Sequence, residues 1–218
     1  MPSSSPLMQK APLAIPNAMV LTVRAAYESP PRAYHGFAHI EELLGHWLKF
    51  DAQRLWQQRA DTWLAMLYHD AVYEPGRRDN EALSAALARH EFESHLPAGS
   101  VDTDRVCSLI EMTAKHGRLR AQDLDDDARL FLDCDMAILG ASPERFQAYD
   151  RAIAEEYRDS LPGWLFRFNR RRFLKRLLES PRIYLSEPGA ALWEKPAREN
   201  IKRAIQQGRT ALAAGAGR

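Results

Sequence analysis

Apolar residues in this chain recur at spacings of three and four, and that rhythm sets the fold class before any motif is read. Phe37, Ile40, Leu43, Leu44, Trp47 and Leu48 fall on one face of a helix. Val106, Leu109, Ile110 and Thr113 do the same within Val101–Ala114, and Asn80–His95 is amphipathic and Ala-rich. Thr62–Tyr68 and Asp127–Leu139 are strongly apolar runs, as expected of helices buried on most sides. Ser142 reads as an N-cap, with Pro143 at the first helical position and Glu144 in the first turn, for a helix reaching about Arg158. A further helix is predicted from near Trp164 to Ser180, and a last one after Pro196. Alternating strand patterns are nearly absent. Only Arg182–Ser186 qualifies, and it could equally be an extended connector. The expectation is an all-α chain. Residues 1–16, interrupted by Pro12 and Pro16, form a flexible segment, and residues 17–218 form one compact helical domain.

Composition narrows the partners. The 218 residues are 45% hydrophobic and 27% charged, an ordinary globular balance. A formal net charge of +1 supplies no field for nucleic acid or anionic lipid. No stretch approaches the roughly 18 apolar residues of a membrane-spanning helix. Cys107 and Cys134, the only cysteines, fall in apolar helical patterns and read as buried free thiols of a reducing cytoplasm. No CxxC pair is present for a zinc ribbon.

Several polar residues are out of place against this background. His69 and Asp70 close the apolar run that ends at Tyr68. Burying such groups costs several kcal/mol unless they are paired, hydrogen-bonded or bound to a metal. His39 neighbours Ile40 of a core face, and His35 shares its helical face if that helix starts early enough. Asp133 and Asp135 interrupt the apolar string LFLDCDMAILG. Imidazole and carboxylate together suit Mn, Fe, Co, Ni or Zn better than Ca, and two neutral histidines with two aspartates balance a 2+ charge. Asp133 and Asp135 compete for the fourth position, because about 200° separates them on a helix. An Asp133 that is not a ligand pairs with an arginine or faces solvent.

In this order the residues resemble the HD superfamily of metal-dependent phosphohydrolases. The strings RAYHGFAHIEEL, HDAVYEPGRRDNEALSA and FLDCDMAILG carry the resemblance, which spans about residues 30–181. It implies an HD-type helical domain with a divalent metal ion (Mn, Fe, Co, Ni, Zn or Mg) on His39, His69, Asp70 and Asp135. Asp70 would also be catalytic, through a second metal or the attacking water. The YHxxxH string is similar to that of cyclic-nucleotide phosphodiesterases, which implies that His35 is the proton donor. Gly36 stands where those enzymes place Asn. The implied activity is hydrolysis of a nucleotide or other small phosphoester by metal-activated water.

Arg32, Arg77, Arg78, Lys115 and His116 are the candidate contacts to a phosphorylated substrate. Asp79 caps the next helix or orients a ligand histidine. The string WLFRFNRRRFLKR, Trp164–Arg176, interleaves basic and aromatic residues. No groove-reading motif accompanies it, so a nucleic-acid partner is not expected. The alternative reading is a metal-containing module that binds a nucleotide or RNA without turnover. Either reading is compatible with a homodimer.

Overall fold

The helical rhythm of the sequence appears as nine α-helices in a computed structural model that describes residues 6–28, 30 and 32–215. They are α1 (Asn17–Glu28), α2 (Phe37–Asp51), α3 (Arg59–Tyr68), α4 (Asn80–His95), α5 (Thr103–Thr113), α6 (Asp126–Asp135), α7 (Pro143–Glu156), α8 (Gly163–Glu179) and α9 (Glu187–Gly215). No strand occurs among the described residues. α3 is the axis of the body: every residue from Asp61 to Tyr68 is buried. α2, α4, α5 and α6 pack around it, which is why this stretch is apolar on several faces rather than striped. Trp47 anchors α2 by stacking on Trp56, meeting Trp63 edge-on and donating its indole N–H to Thr62 Oγ1 at 3.0 Å. A second apolar cluster, with Leu139, Phe146, Leu177 and Tyr184, joins α7, α8 and α9 to the turn after α6.

Local signals explain most helix ends. Ser142 Oγ accepts the Arg145 N–H at 3.4 Å, with Pro143 opening α7. α6 ends at Asp135, and the chain tightens into a 3-10 turn, Met136–Gly140. Gly140 passes so close to α9 that a Cβ there would stand 2.6 Å from the Cβ of Trp193. α9 starts at Glu187, well ahead of the predicted start after Pro196. The reason is Ser186, whose Oγ accepts the Gly189 N–H at 3.0 Å while its carbonyl accepts from Ala190. The helix is therefore capped early and carries Pro196 within it.

Arg182–Ser186 is a connector rather than a strand. Glu194 accepts the N–H groups of Ile183 and Tyr184, and Asp133 accepts those of Leu185 and Ser186. Side-chain carboxylates thus take the place of a neighbouring strand. In the N-terminal segment, Met8 is buried within a short 3-10 turn, and Leu7, Leu13 and Ile15 pack on the core. Residues 1–5, also expected to be flexible, lie outside the described residues. Cys107 and Cys134 are buried free thiols. Among the described residues, no helix is long and apolar enough to cross a membrane.

Candidate metal centre

α3 runs out at Tyr68, and His69 occupies its C-cap, with its N–H on the Ala65 carbonyl at 3.0 Å. A helix C-terminus concentrates negative potential, which favours a nearby cation. The turn that follows is clamped by Arg32. Its guanidinium donates to the carbonyls of Ala26 (2.7 Å), His35 (3.0 Å), Asp70 (2.6 Å) and Ala71 (3.0 Å). One side chain therefore ties the end of α1, the entry to α2 and the His69–Asp70 turn together.

Into this corner α2 brings His39, and α6 brings its last residue, Asp135. His39 Nε2 lies 3.3 Å from His69 Nε2, 3.3 Å from Asp135 Oδ1 and 3.9 Å from Asp70 Oδ2. His69 Nε2 lies 3.1 Å from Asp70 Oδ2 and 3.5 Å from Asp135 Oδ1. Atoms that share one ion at about 2.0–2.2 Å stand roughly 3–3.5 Å from one another. His39, His69 and Asp70 form a group able to hold a metal ion. The proton pattern fits as well. His69 Nδ1 donates to the Met66 carbonyl at 3.0 Å, so Nε2 is the nitrogen that faces the cluster and can ligate once it has given up its proton. Nδ1 of His39 is buried without a hydrogen-bond partner.

Electrostatics point the same way. Burial pushes the His69 imidazolium down, but Asp70 and Asp135 outweigh it and hold its pKa well above the ordinary imidazole value. Burial raises both carboxylates, yet the neighbouring His69 charge, with hydrogen bonds from the surrounding imidazoles, brings Asp70 and Asp135 below the carboxylate range. The pocket thus stabilises positive charge among two ionised aspartates. His116 supports it from the turn after α5, with Nε2 2.7 Å from Asp135 Oδ2. Gly117, at φ +71°, supplies the left-handed reversal that this turn needs directly after His116.

His35 stands ahead of α2, not one turn along its face. Gly36 is extended and the helix begins at Phe37. The two rings still lie 5.9 Å apart. Glu156, at the end of α7, holds His35: its carboxylate accepts from His35 Nδ1 at 2.7 Å, from the His35 and Tyr34 N–H groups at 2.9 and 2.8 Å, and from the Tyr73 hydroxyl at 3.2 Å. Burial works against this carboxylate, but the bonds from His35 and the backbone outweigh it and lower its pKa. Glu156 escaped the sequence reading because a glutamate at the end of a solvated helix carries no distinguishing signal.

A cavity of about 340 Å³ opens beside the centre. Its walls include His35, Asp70, His116 and Asp135, together with Arg118, Arg170 and Arg176. Of the cations proposed from sequence, only His116 lines it. Arg32 is spent on backbone carbonyls. Arg77 pairs with Asp79 at 2.6 Å and Glu74 at 3.3 Å, and Arg78 and Lys115 are exposed elsewhere. Asp79 makes no helix cap bond. Asp133 is neither paired with arginine nor exposed: it accepts from Leu185 N–H, Ser186 N–H and the Ser186 hydroxyl at 2.6, 2.7 and 2.6 Å.

Comparison with family models, with curated proteins and with solved structures gives no significant match. The all-helical body with its His39–His69–Asp70 group is compatible with an HD-type domain.

Proposed function

We propose that this chain is an HD-type, metal-dependent phosphohydrolase acting on a small phosphoester, with His39, His69, Asp70 and Asp135 holding a divalent ion. The observation that supports this most is the convergence of His39, His69 and Asp70, with Asp135 of α6 beside the two imidazoles, whose Nε2 atoms lie 3.1–3.9 Å from each other and from the two carboxylates. A bound divalent ion acidifies water and offsets charge on phosphoryl oxygens. Asp70 orients the attacking water. His35 gives a proton from Nε2 to the leaving alkoxide, while Glu156 grips Nδ1–H and fixes the orientation of the ring. Arg118, in the same turn as His116, adds positive charge for the phosphoryl group.

Phosphate release from a panel of nucleotides and generic phosphoesters, with Mn²⁺ or with chelator, tests this reading. Release is expected only with metal, and Asp70→Asn abolishes it. His35→Gln slows it by about 10²–10⁴-fold without changing metal content. No release across the panel, from protein holding stoichiometric metal, overturns the hydrolase.

A further inference from the structure

Arg170 of α8 is a buried cation that the proposed chemistry does not use. Its side chain is only 12% exposed, and it lines the cavity beside the metal centre. Nε donates to Asp150 Oδ1 at 2.9 Å, and Nη1 donates to the Tyr149 hydroxyl at 3.2 Å. Nη2 is buried with no hydrogen-bond partner. A guanidinium does not deprotonate in proteins, so an unmatched buried N–H is an open demand for an acceptor. Arg176, half-buried and less than two turns further along α8, lines the same cavity, as does the exposed Arg118. Asp150 balances Arg170, and Arg118 serves the ester phosphate, so the α8 pair keeps one net positive charge, that of Arg176, beside the unmatched Nη2 N–H of Arg170.

The position of Arg170 separates this demand from the metal centre. The Tyr34 ring lies 4.9 Å from that of His39 and 4.6 Å from that of Tyr149. Arg170 in turn stacks over Tyr149, with Cζ 4.9 Å from the ring centroid. Two tyrosine rings therefore intervene between His39 and the guanidinium, and an anion at Arg170 is a different group from one held at the ligand residues.

We propose that Arg170 and Arg176 form a second phosphate subsite, so that the substrate carries a phosphate besides the ester to be cleaved. The word substrate rests on the hydrolase reading, whereas binding of the second phosphate does not. Calorimetric titration of the full chain, with EDTA present to exclude turnover, tests it. The probes are adenosine 3′,5′-bisphosphate against adenosine 5′-monophosphate, and fructose 1,6-bisphosphate against fructose 6-phosphate. In at least one pair the bisphosphate binds about tenfold tighter or more. Arg170→Gln removes most of that preference. Arg176→Gln, which leaves the Asp150 pair untouched, does the same should Arg170→Gln fail to fold. No bisphosphate preference in either pair, or a preference that survives in the folded variants, overturns the subsite. Phosphate release without the preference sinks the subsite alone, and the preference without any phosphate release sinks the hydrolase alone.

Discussion

Asp133 and Asp135 sit two residues apart on α6, both with little exposure, and their surroundings are opposite in kind. Asp133 is ringed by donors: two backbone N–H groups and a hydroxyl, all within 2.7 Å. Asp135 faces the imidazoles of His39, His69 and His116, with a second carboxylate, Asp70, across the cluster. Burial pushes the Asp133 carboxyl up to about 6 against the bonds that hold it ionised. At Asp135 burial is overcome by the His69 charge and by bonds from the three histidines, and the carboxyl falls well below its usual range. The difference teaches that burial of a carboxylate does not by itself mark a site. A carboxylate matched by protein N–H and O–H donors fastens the fold. One held by imidazoles that can give up a proton, with another carboxylate across the cluster, sits where a cation can replace those protons.

Removing the fastener is expected to give the largest effect. Asp133→Ala strands the N–H groups of Leu185 and Ser186 in the joint between α6 and α9, and costs about 3–5 kcal/mol in urea unfolding. Metal bound per folded molecule stays at the wild-type level. A cost under about 1 kcal/mol, or loss of metal from the folded variant, breaks the contrast between the two aspartates.

α2 repeats the contrast with histidines. His39 faces the cluster, while His46, two turns later, packs on Trp193 with its Nε2 buried and 3.9 Å from Glu42, too far to bond. Burial, aided by the Lys49 and Arg145 charges, lowers the His46 pKa to about 4. The unfolded chain therefore binds an extra proton between about pH 6.5 and 4, and the stability His46 contributes above that window is lost as pH falls through it. At about 1.4 kcal/mol per pH unit, the loss reaches roughly 3 kcal/mol at most. His46→Leu removes it. Asp133, raised to about 6, contributes with the opposite sign in both proteins, so the difference between the two stability curves isolates His46. Parallel curves sink the assignment.

Much of this was legible in the sequence because it concerns the polarity of buried faces. The 3-and-4 spacing places α2, α4 and α5, and the unstriped run before His69 marks α3 as the enclosed axis. His39, His69 and Asp70 stand out because titratable groups interrupt apolar runs, and the chain brings them together; the same signal does not choose between Asp133 and Asp135, which only the family resemblance separates. Partner choice was less legible. Nothing in the residue type tells that Arg32 grips carbonyls rather than phosphate, or that Glu156 rather than a neighbour of His35 holds the imidazole. Arg170 and Arg176 carry no signal of their own in a string that interleaves basic and aromatic residues, since a fraction of a turn decides whether an arginine meets water or a cavity. The predicted start after Pro196 failed because Ser186 caps α9 earlier, and a helix already nucleated tolerates a proline that would not begin one there.

Metal-linked stability sharpens the contrast last and with the smallest energy. An ion that binds only the folded chain adds about 2.7 kcal/mol at a concentration of 100 Kd. Asp135→Asn removes one ligand oxygen's charge. A hundredfold loss of affinity at the same metal concentration leaves about 0.4 kcal/mol, nearly the whole shift in Tm gone. Asp133→Asn keeps the shift, because its oxygens serve Leu185 and Ser186. The sign of the pH dependence follows from His69. Its pKa lies well above the ordinary value, so in the metal-free protein it holds a proton that must leave before Nε2 can ligate. Binding releases that proton, and the Mn²⁺-induced shift in Tm is larger at about pH 8 than at about pH 6. A shift that ignores pH would sink His69 as a ligand that gives up its proton, and one that Asp133→Asn abolishes and Asp135→Asn spares would place the ion on the wrong side of α6.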